Sequence, residues 1–217
     1  MSKIDNTSGI PEDELMREGL IDRLSQYLEA EPGAWHVRYN LGVALAHVGR
    51  YDEALEHFRQ VLTHSPKHLE SLVNIGGIHL ARGEADQAMA AFTKAMSVYD
   101  TPLLRANLAV AYMQKDRLEE AEQQLLLALE ANPKMPDALT NLSLVLLKQG
   151  KAEDAVAAAR AALAVRDDFA MAYNNLAAAL LELGRRDEAK EAAAKAVALE
   201  YPVHEEMLQE LGLEVPA

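Results

Sequence analysis

The chain has 217 residues, of which 50% are hydrophobic, and a formal net charge of −13. It contains no cysteine, which excludes disulfide bonds, thiol catalysis and cysteine-ligated metal sites. The acidic balance argues against a nucleic-acid-binding protein, because phosphate backbones are bound by clustered lysine and arginine.

The acidic excess lies at the two ends of the chain. Residues 1–34 and residues 200–217 each carry a net charge of −5, whereas residues 35–199 carry only −3. The first residues are not followed by an apolar run, so we expect no signal peptide and no membrane span. We therefore expect a cytoplasmic protein.

The first predicted element is a helix within the acidic N-terminal segment. Pro11 precedes three acidic residues, which is a favoured way to begin a helix. Apolar side chains then form a single stripe at helical spacing, consisting of Leu20, Ile21, Leu24 and Leu28. Pro32 marks the expected end of this helix.

The central part of the chain is a tandem repeat with a period of 33 or 34 residues. An asparagine marks each repeat, at Asn40, Asn74, Asn107, Asn141 and Asn175. Fourteen residues after each asparagine stands an alanine, at Ala54, Ala88, Ala121, Ala155 and Ala189. The apolar residues of each repeat fall three and four apart in two runs, which predicts a pair of helices per repeat.

Turn and stop residues recur between the predicted helices. The turn inside each repeat carries Gly49, Gly83, Asp116, Gly150 or Gly184, at the position where a left-handed residue ends a helix. Acidic residues two or three positions later are placed to cap or complement the second helix, at Asp52, Asp86, Glu119, Glu153 and Asp187. Pro66 and Pro133 end the second helix in two repeats.

The last predicted element is a short amphipathic helix. Val203, Met207, Leu208 and Leu211 give it an apolar face that can close the final repeat. A repeat array needs polar surface on its terminal faces, which accounts for the acidic residues at both ends.

These columns resemble the tetratricopeptide repeat (TPR) family over about residues 35–202. The family pattern of Leu-Gly, Ala, Phe and Pro is met by Leu41, Gly42, Ala54, Phe58 and Pro66. The Trp position of the family is not matched, and Tyr112 alone fills the Tyr position, which implies altered local packing. The resemblance implies an all-α fold, a right-handed superhelical solenoid of stacked antiparallel helix pairs.

The expected organisation has three parts. Residues 1–34 form an acidic tail and capping helix that resembles the unpaired second helix of a preceding repeat. Five repeats follow at 35–68, 69–101, 102–135, 136–169 and 170–202. Residues 203–217 form a C-terminal capping helix and tail.

The resemblance implies a peptide-binding groove lined by the first helix of each repeat. An asparagine amide can pair with a peptide N–H and C=O together, so the recurrent asparagines form a candidate asparagine ladder. Similar ladders occur in the superhelix of the protein O-linked N-acetylglucosamine transferase. Neighbouring residues on the same helices would supply mostly apolar sockets, namely Tyr39, Val43, His47, Val73, Val110, Met113, Leu144, Leu147, Lys148 and Leu181.

Two interpretations of the asparagines stay open at this point. They bind an extended peptide segment of a partner, as in an adaptor or assembly chaperone, or they bond to neighbouring backbone and support repeat packing. A clamp for the carboxylate of a chaperone tail is not expected, because Tyr39 and Val43 stand where that clamp has Lys and Asn. The alternative function is a structural subunit that docks on a folded partner, or on itself, through the convex face or the terminal helices.

Catalytic and cofactor sites are not expected. His64 and His68 flank Pro66, so one unbroken helix cannot present them as a pair of metal ligands. No phosphate-binding loop or nucleophile elbow is present. We predict a non-catalytic protein–protein interaction scaffold without metal or cofactor. Its expected partner is a protein or peptide; self-association is compatible with the sequence but not indicated by it.

Overall fold

The computed structural model describes the backbone of residues 12–214 and the side chains from residue 19 onward. Every regular element in this part of the chain is an α-helix. The twelve helices are α1 (Glu12–Ala30), α2 (Trp35–His47), α3 (Tyr51–His64), α4 (Leu69–Ala81), α5 (Ala85–Val98), α6 (Pro102–Gln114), α7 (Leu118–Ala131), α8 (Pro136–Lys148), α9 (Ala152–Val165), α10 (Ala170–Glu182), α11 (Arg186–Ala198) and α12 (Glu205–Leu211). The all-α repeat fold expected from the sequence is confirmed.

The helices belong to two compact units, which are described separately. The first unit extends to Tyr99 and contains α1 to α5, and the second begins at Asp100 and contains α6 to α12. Within each unit the most extensive contacts join the two helices of a repeat, such as α2 with α3 and α10 with α11. The core of the first unit is built around Leu41, Leu45, Leu55 and Phe58.

The turns within the repeats have the backbone conformation that the sequence predicts. The four turn glycines have φ between 70° and 77°, and Asp116 has φ 55° at the equivalent place in the third repeat. A side chain in this left-handed region is strained unless it is glycine, asparagine or aspartate. The turn residues therefore end the first helix of each repeat at the same position.

The acidic residues after each turn lie inside their helices and not at the N-cap position. Asp52 and its four equivalents are in the first turn of α3, α5, α7, α9 and α11, and the N-cap residue of each of these helices makes no side-chain capping hydrogen bond. In the first turn these acids complement the positive end of the helix dipole. Arg50, immediately before α3, bonds a different acid, Glu53, with Nε 2.7 Å from Oε1.

The two helices of a repeat meet through one pair of residues whose size changes along the chain. One residue of the pair is the small residue of the first helix, two positions after the recurrent asparagine. The other lies in the second helix, four positions after the recurrent alanine. In the first repeat a Cβ on Gly42 would lie 2.8 Å from the ring of Phe58, so only glycine fits there. Gly76 and Phe92 meet in the same way. The equivalent residues in the second unit are Ala109 and Leu125, Ser143 and Ala159, and Ala177 and Ala193, all fully buried.

The terminal helices occupy the predicted segments. α1 ends two residues before Pro32, and its side chains Ile21 and Leu28 are buried against the first repeat. At the other end Leu208 and Leu211 of α12 are buried, and Val203 joins the same cluster as Leu208. Both helices thus bury apolar side chains against an adjacent repeat.

Candidate functional site

In the first unit, the candidate binding residues of α2 lie beside an apolar cavity. Asn40, Val43 and His47 are spaced three and four apart, so they share one face of the helix. They line a cavity of about 370 Å³ together with Leu20, Leu24 and Ala44. Leu20 and Leu24 belong to α1, which the sequence assigns to capping or, as the alternative, to docking on a partner; their place beside the candidate peptide-binding residues of α2 was missed.

Asn74 of α4 has hydrogen-bond partners inside the same unit. Its side-chain nitrogen lies 2.8 Å from the Glu70 carbonyl oxygen and 3.2 Å from the hydroxyl oxygen of Tyr39. Tyr39 also packs against Phe58 and His68, with ring centroids 5.8 and 5.0 Å apart. Two candidate ligand contacts, Asn74 and Tyr39, therefore bond to each other across α2 and α4. Val73, next to Asn74, is partly exposed.

In the second unit, α6 and α8 each present a partly exposed face that includes the recurrent asparagine. On α8 the side chains of Leu142, Val145 and Leu146 are buried in the core. The candidate residues of the two helices are all partly or fully exposed, namely Asn107, Val110, Met113, Asn141, Leu144, Leu147 and Lys148. The two helices are in contact, so their faces are neighbours.

The recurrent asparagines are not equivalent. Within the described residues, the side-chain amides of Asn40, Asn107 and Asn141 have no hydrogen-bond partner, whereas Asn74 has two. Asn175 is only 4% exposed, and its amide nitrogen lies 3.1 Å from the carbonyl oxygen of Thr140 in α8. Its neighbour Leu181 is partly exposed. The amide of Asn175 thus holds α10 to α8.

A second cavity lies in the second unit, within its last two repeats. It has a volume of about 570 Å³ and is lined by α9, α10 and α11, with Ala192, Leu176 and Leu180 among its apolar residues. Arg160 and Glu188 form an ion pair at its edge, with Nη2 2.8 Å from Oε2. Alanine predominates on the second helices here, and this is the sequence feature that could have indicated the cavity.

Shifts in pKa arise from ion pairs and from the partial burial of one histidine, His57. A hydrogen bond from Lys151 holds the pKa of the Glu122 carboxyl below its usual range, and links α7 to the start of α9. Burial, together with the nearby Arg38, lowers the pKa of His57 below its usual 6.5. The Nδ1 atom of His57 is buried and has no hydrogen-bond partner in the described structure. These shifts concern packing and salt bridges, and none adjoins the candidate binding faces.

The described part of the chain contains no group of three or more His, Cys, Asp or Glu side chains that could hold a metal ion. None of its helices is long and apolar enough to cross a membrane.

Comparison with known proteins agrees with the fold. The model of the family described as the cilia and flagella-associated protein 70 C-terminal domain matches residues 11–211. The crystal structure of MamA is 25% identical, covers 74% of this chain and 94% of that chain, and has a TM-score of 0.66. A thermophilic TPR protein of Thermus thermophilus is 27% identical, with 82% and 97% of the two chains covered and a TM-score of 0.63.

A third structure, YrrB, is described as a TPR protein with an unusual peptide-binding site. It is 19% identical over 88% of this chain and 98% of that chain, with a TM-score of 0.67, and this likeness shows the fold alone. No curated protein sequence matches the chain. The resemblance to TPR proteins with five tandem repeats and terminal helices is confirmed, and such proteins are generally non-catalytic scaffolds that bind proteins or peptides.

Proposed function

We propose that this chain, which belongs to the family of the cilia and flagella-associated protein 70 C-terminal domain, binds an extended peptide segment of a partner protein. The proposed surfaces are the face of α2 that carries Asn40 in the first unit and, separately, the faces of α6 and α8 that carry Asn107 and Asn141 in the second unit. The chain acts there as an adaptor or assembly chaperone. It catalyses no reaction.

The observation that carries this proposal is the pairing of unbonded amides with partly exposed apolar side chains. These amides are at least partly exposed and can bond to water, and a peptide backbone offers a donor and an acceptor that can replace that water. Asn141, Leu144 and Leu147 are all partly exposed on α8, and α6, which carries Asn107, is in contact with α8. This combination favours a ligand with hydrophobic side chains, since the backbone pairs with the amides and the side chains enter the apolar gaps.

The spacing of helices suits an extended segment. Neighbouring helices pack roughly 8–10 Å apart, and an extended strand advances about 3.3 Å per residue, so each helix meets about every third residue of the peptide. Net hydrogen-bond energies of about 0.5–1.5 kcal/mol each, less the cost of ordering the peptide, favour affinities on the order of micromolar. Asn74 and Asn175 contribute less to this proposal, because their amides already bond within the fold.

A comparative pull-down tests the proposal. We expect the Asn107→Ala/Asn141→Ala variant to lose partners that the wild-type protein retains, with unchanged helicity and melting temperature. The matched control is Gln87→Ala/Gln123→Ala, which removes two amides from exposed positions on the second helices. Partners lost from both variants, or from neither, would count against the asparagine faces as the binding surface. A peptide array of any partner lost only from the first variant would then locate the segment.

The second candidate function is docking on a folded partner through the outer helices of the second unit. The cavity of about 570 Å³ beside α9 and α11 favours it, because the small side chains of Ala192, Ala194 and Ala198 leave an apolar depression there. An Ala194→Arg variant would fill this cavity without touching the asparagine faces. Loss of partners from that variant alone would favour outer-face docking over peptide binding.

A further inference from the structure

α1 exposes apolar side chains at positions that are buried in every other second helix of the chain. Leu20 is 43% exposed and Tyr27 is 51% exposed, while Leu24 is partly exposed. Shifting by the repeat period of 34 residues places these three residues in register with Ala54, Phe58 and Val61 of α3. All three of those equivalents are 0% exposed.

The same three positions are fully buried in the remaining repeats. Each of the equivalent residues is 0% exposed, namely Ala88, Phe92, Ala95, Ala121, Leu125, Ala128, Ala155, Ala159, Ala162, Ala189, Ala193 and Ala196. In the first two repeats, a glycine of the first helix lies directly against the middle column. These columns are therefore where a second helix packs against the first helix of its own repeat.

α1 has no such first helix within the described chain. It packs against α2 through Ile21 and Leu28, as α3 packs against α4. Its register places Leu15 where the other repeats have the turn residue, glycine or Asp116, yet α1 is helical without interruption from Glu12 to Ala30. The described backbone therefore does not turn back to cover the exposed face.

A cavity lined mostly by apolar residues lies beside the uncovered face of α1. The cavity of about 370 Å³ lies between α1 and α2, and its walls include Leu20, Leu24, Val43 and Ala44. Leu20 and Leu24 line it, and their equivalents in the other repeats pack against the first helix of the same repeat. Tyr27 extends the same apolar face by one further turn of α1.

We propose that this face, formed by Leu20, Leu24 and Tyr27 of α1 with Val43 of α2, binds an amphipathic helix of another protein. That helix takes the position of the missing first helix of a repeat. The repeats of this chain indicate its chemistry: apolar residues three and four apart, with glycine or alanine opposite Leu24, as Gly42 lies opposite Phe58. Basic residues on its flanks suit α1, whose sequence carries six acidic and two basic residues.

A second copy of this chain is a poorer occupant. The apolar side chains of its short C-terminal helix, Leu208 and Leu211, are already buried. Two copies of α1 would bring their like charges together, which is unfavourable. The proposed occupant is therefore a basic amphipathic helix from a different protein. The α1 face shares its cavity with Asn40 of α2, so the two proposals overlap there. It is independent of the faces of α6 and α8 that carry Asn107 and Asn141.

The test uses a helix whose chemistry is known. The probe is a fluorescein-labelled, hydrocarbon-stapled peptide with the 13-residue sequence of α6, PLLRANLAVAYMQ, which has one arginine and no acid. α6 is chosen because its own repeat has leucine, Leu125, in the column of Leu24, with Ala109 as the small residue of the pair. We expect saturable binding to the full chain in fluorescence anisotropy. A peptide carrying Ala109→Lys should bind at least roughly tenfold more weakly, because the two helices can no longer approach.

The protein variants separate this proposal from peptide binding by the asparagine faces. Leu20→Gln/Tyr27→Gln should weaken probe binding by roughly tenfold or more, since apolar contact area is lost at residues whose exposure leaves folding intact. Asn107→Ala/Asn141→Ala should bind the probe as the wild type does. Undiminished binding to the α1 variant, or no saturable binding to the wild type, would overturn the proposal. A wild-type dimer that becomes monomeric on Leu20→Gln/Tyr27→Gln would assign the face to a second copy and would also overturn it.

Discussion

The repeats of α2–α5 and those of α8–α11 join their two helices with residues of very different size. In the first pair of repeats a phenylalanine ring fills the space against a glycine. In the last pair, alanine faces serine or alanine at the same positions, and all are fully buried. The same pairing of helices is thus reached with two kinds of core, one filled by an aromatic ring and one built from small side chains.

The small core residues change both the contacts and the expected stability of the last two repeats. Ser143 adds a polar contact, with its hydroxyl 2.9 Å from the carbonyl oxygen of Ala155 in α9. Alanine favours helix formation but buries little apolar area, so these repeats depend more on propensity and less on packing. The cavity beside α9 and α11 lies in the same repeats. Stability and surface accessibility are therefore distributed unequally along the chain.

Loss of a phenylalanine from the first unit should have the greatest effect. Phe92→Ala should reduce the free energy of unfolding by about 3–5 kcal/mol, because it leaves a cavity against Gly76 that cannot close fully. Urea unfolding followed by circular dichroism measures this change. A loss below about 1 kcal/mol would mean that the first unit closes its gaps as readily as the alanine repeats do.

Adjacent glycines of α4 should respond to alanine with opposite signs. A Cβ on Gly76 would overlap the Phe92 ring, so Gly76→Ala should destabilise by about 1–3 kcal/mol. Gly77 is exposed with no atom near its Cβ position, so Gly77→Ala should stabilise by about 0.5–1 kcal/mol through helix propensity. Unfolding midpoints of the two variants provide the test. Equal signs would contradict the packing contact.

Amide hydrogen exchange should separate the two kinds of repeat in the wild-type protein. We expect the core amides of α9 and α11 to exchange about tenfold faster than those of α3 and α5, since less buried apolar area opposes local opening. A tenfold difference corresponds to about 1.4 kcal/mol in opening free energy. Equal protection in all four helices would show that alanine packing is as stable as phenylalanine packing.

Two asparagines of the second unit should differ in their contribution to stability. Asn175→Ala should cost about 0.5–1.5 kcal/mol, because it removes a buried hydrogen bond to the Thr140 carbonyl. Asn141→Ala should leave stability nearly unchanged, since its amide has no partner among the described residues. Thermal melts of the two variants compare these effects directly. A large cost for Asn141→Ala would favour the interpretation that its amide supports repeat packing.

The weakest effect should be a pH dependence in the first unit. Burial lowers the pKa of His57 in the folded state, so the folded state binds a proton less readily than the unfolded chain. The stability contributed by neutral His57 is fully present above the unfolded-state pKa of 6.5 and is lost as the pH falls below that value. Between about pH 7.5 and 5.5, His57→Gln should therefore lose less stability than the wild type. An identical pH dependence in both proteins would rule out His57 as the cause.

Sequence periodicity was sufficient to predict the helices and the turns between them. The 33- and 34-residue spacing and the position of the turn glycines depend on local chemistry, and the observed helix ends and positive φ angles agree with both. The acidic residues after each turn were predicted to cap or complement the second helix, and they lie in its first turn, where they complement the helix dipole. The basic residue that precedes α3 bonds a neighbouring acid, a choice that depends on side-chain geometry.

The candidate binding face was only partly predictable. The sequence places all five asparagines in one column and cannot distinguish them, although their hydrogen bonds differ. Asn74 reaches Tyr39, which is 35 residues away, and Asn175 reaches Thr140 across the same separation. Such partners come from the preceding repeat, so their presence depends on how adjacent helices pack.

An array of paired helices with amphipathic ends could be predicted from the residue pattern, because periodicity, turn chemistry and helix propensity act within a few residues. The unbonded amides, the small residues that face phenylalanine and the uncovered apolar side chains of α1 became evident only from the packing of the helices. Leu24 and Phe58 occupy the same column, yet only Phe58 is fully buried. This difference arises because a side chain is buried only when a second surface packs against it. The residue pattern of one helix does not show whether that second surface is present.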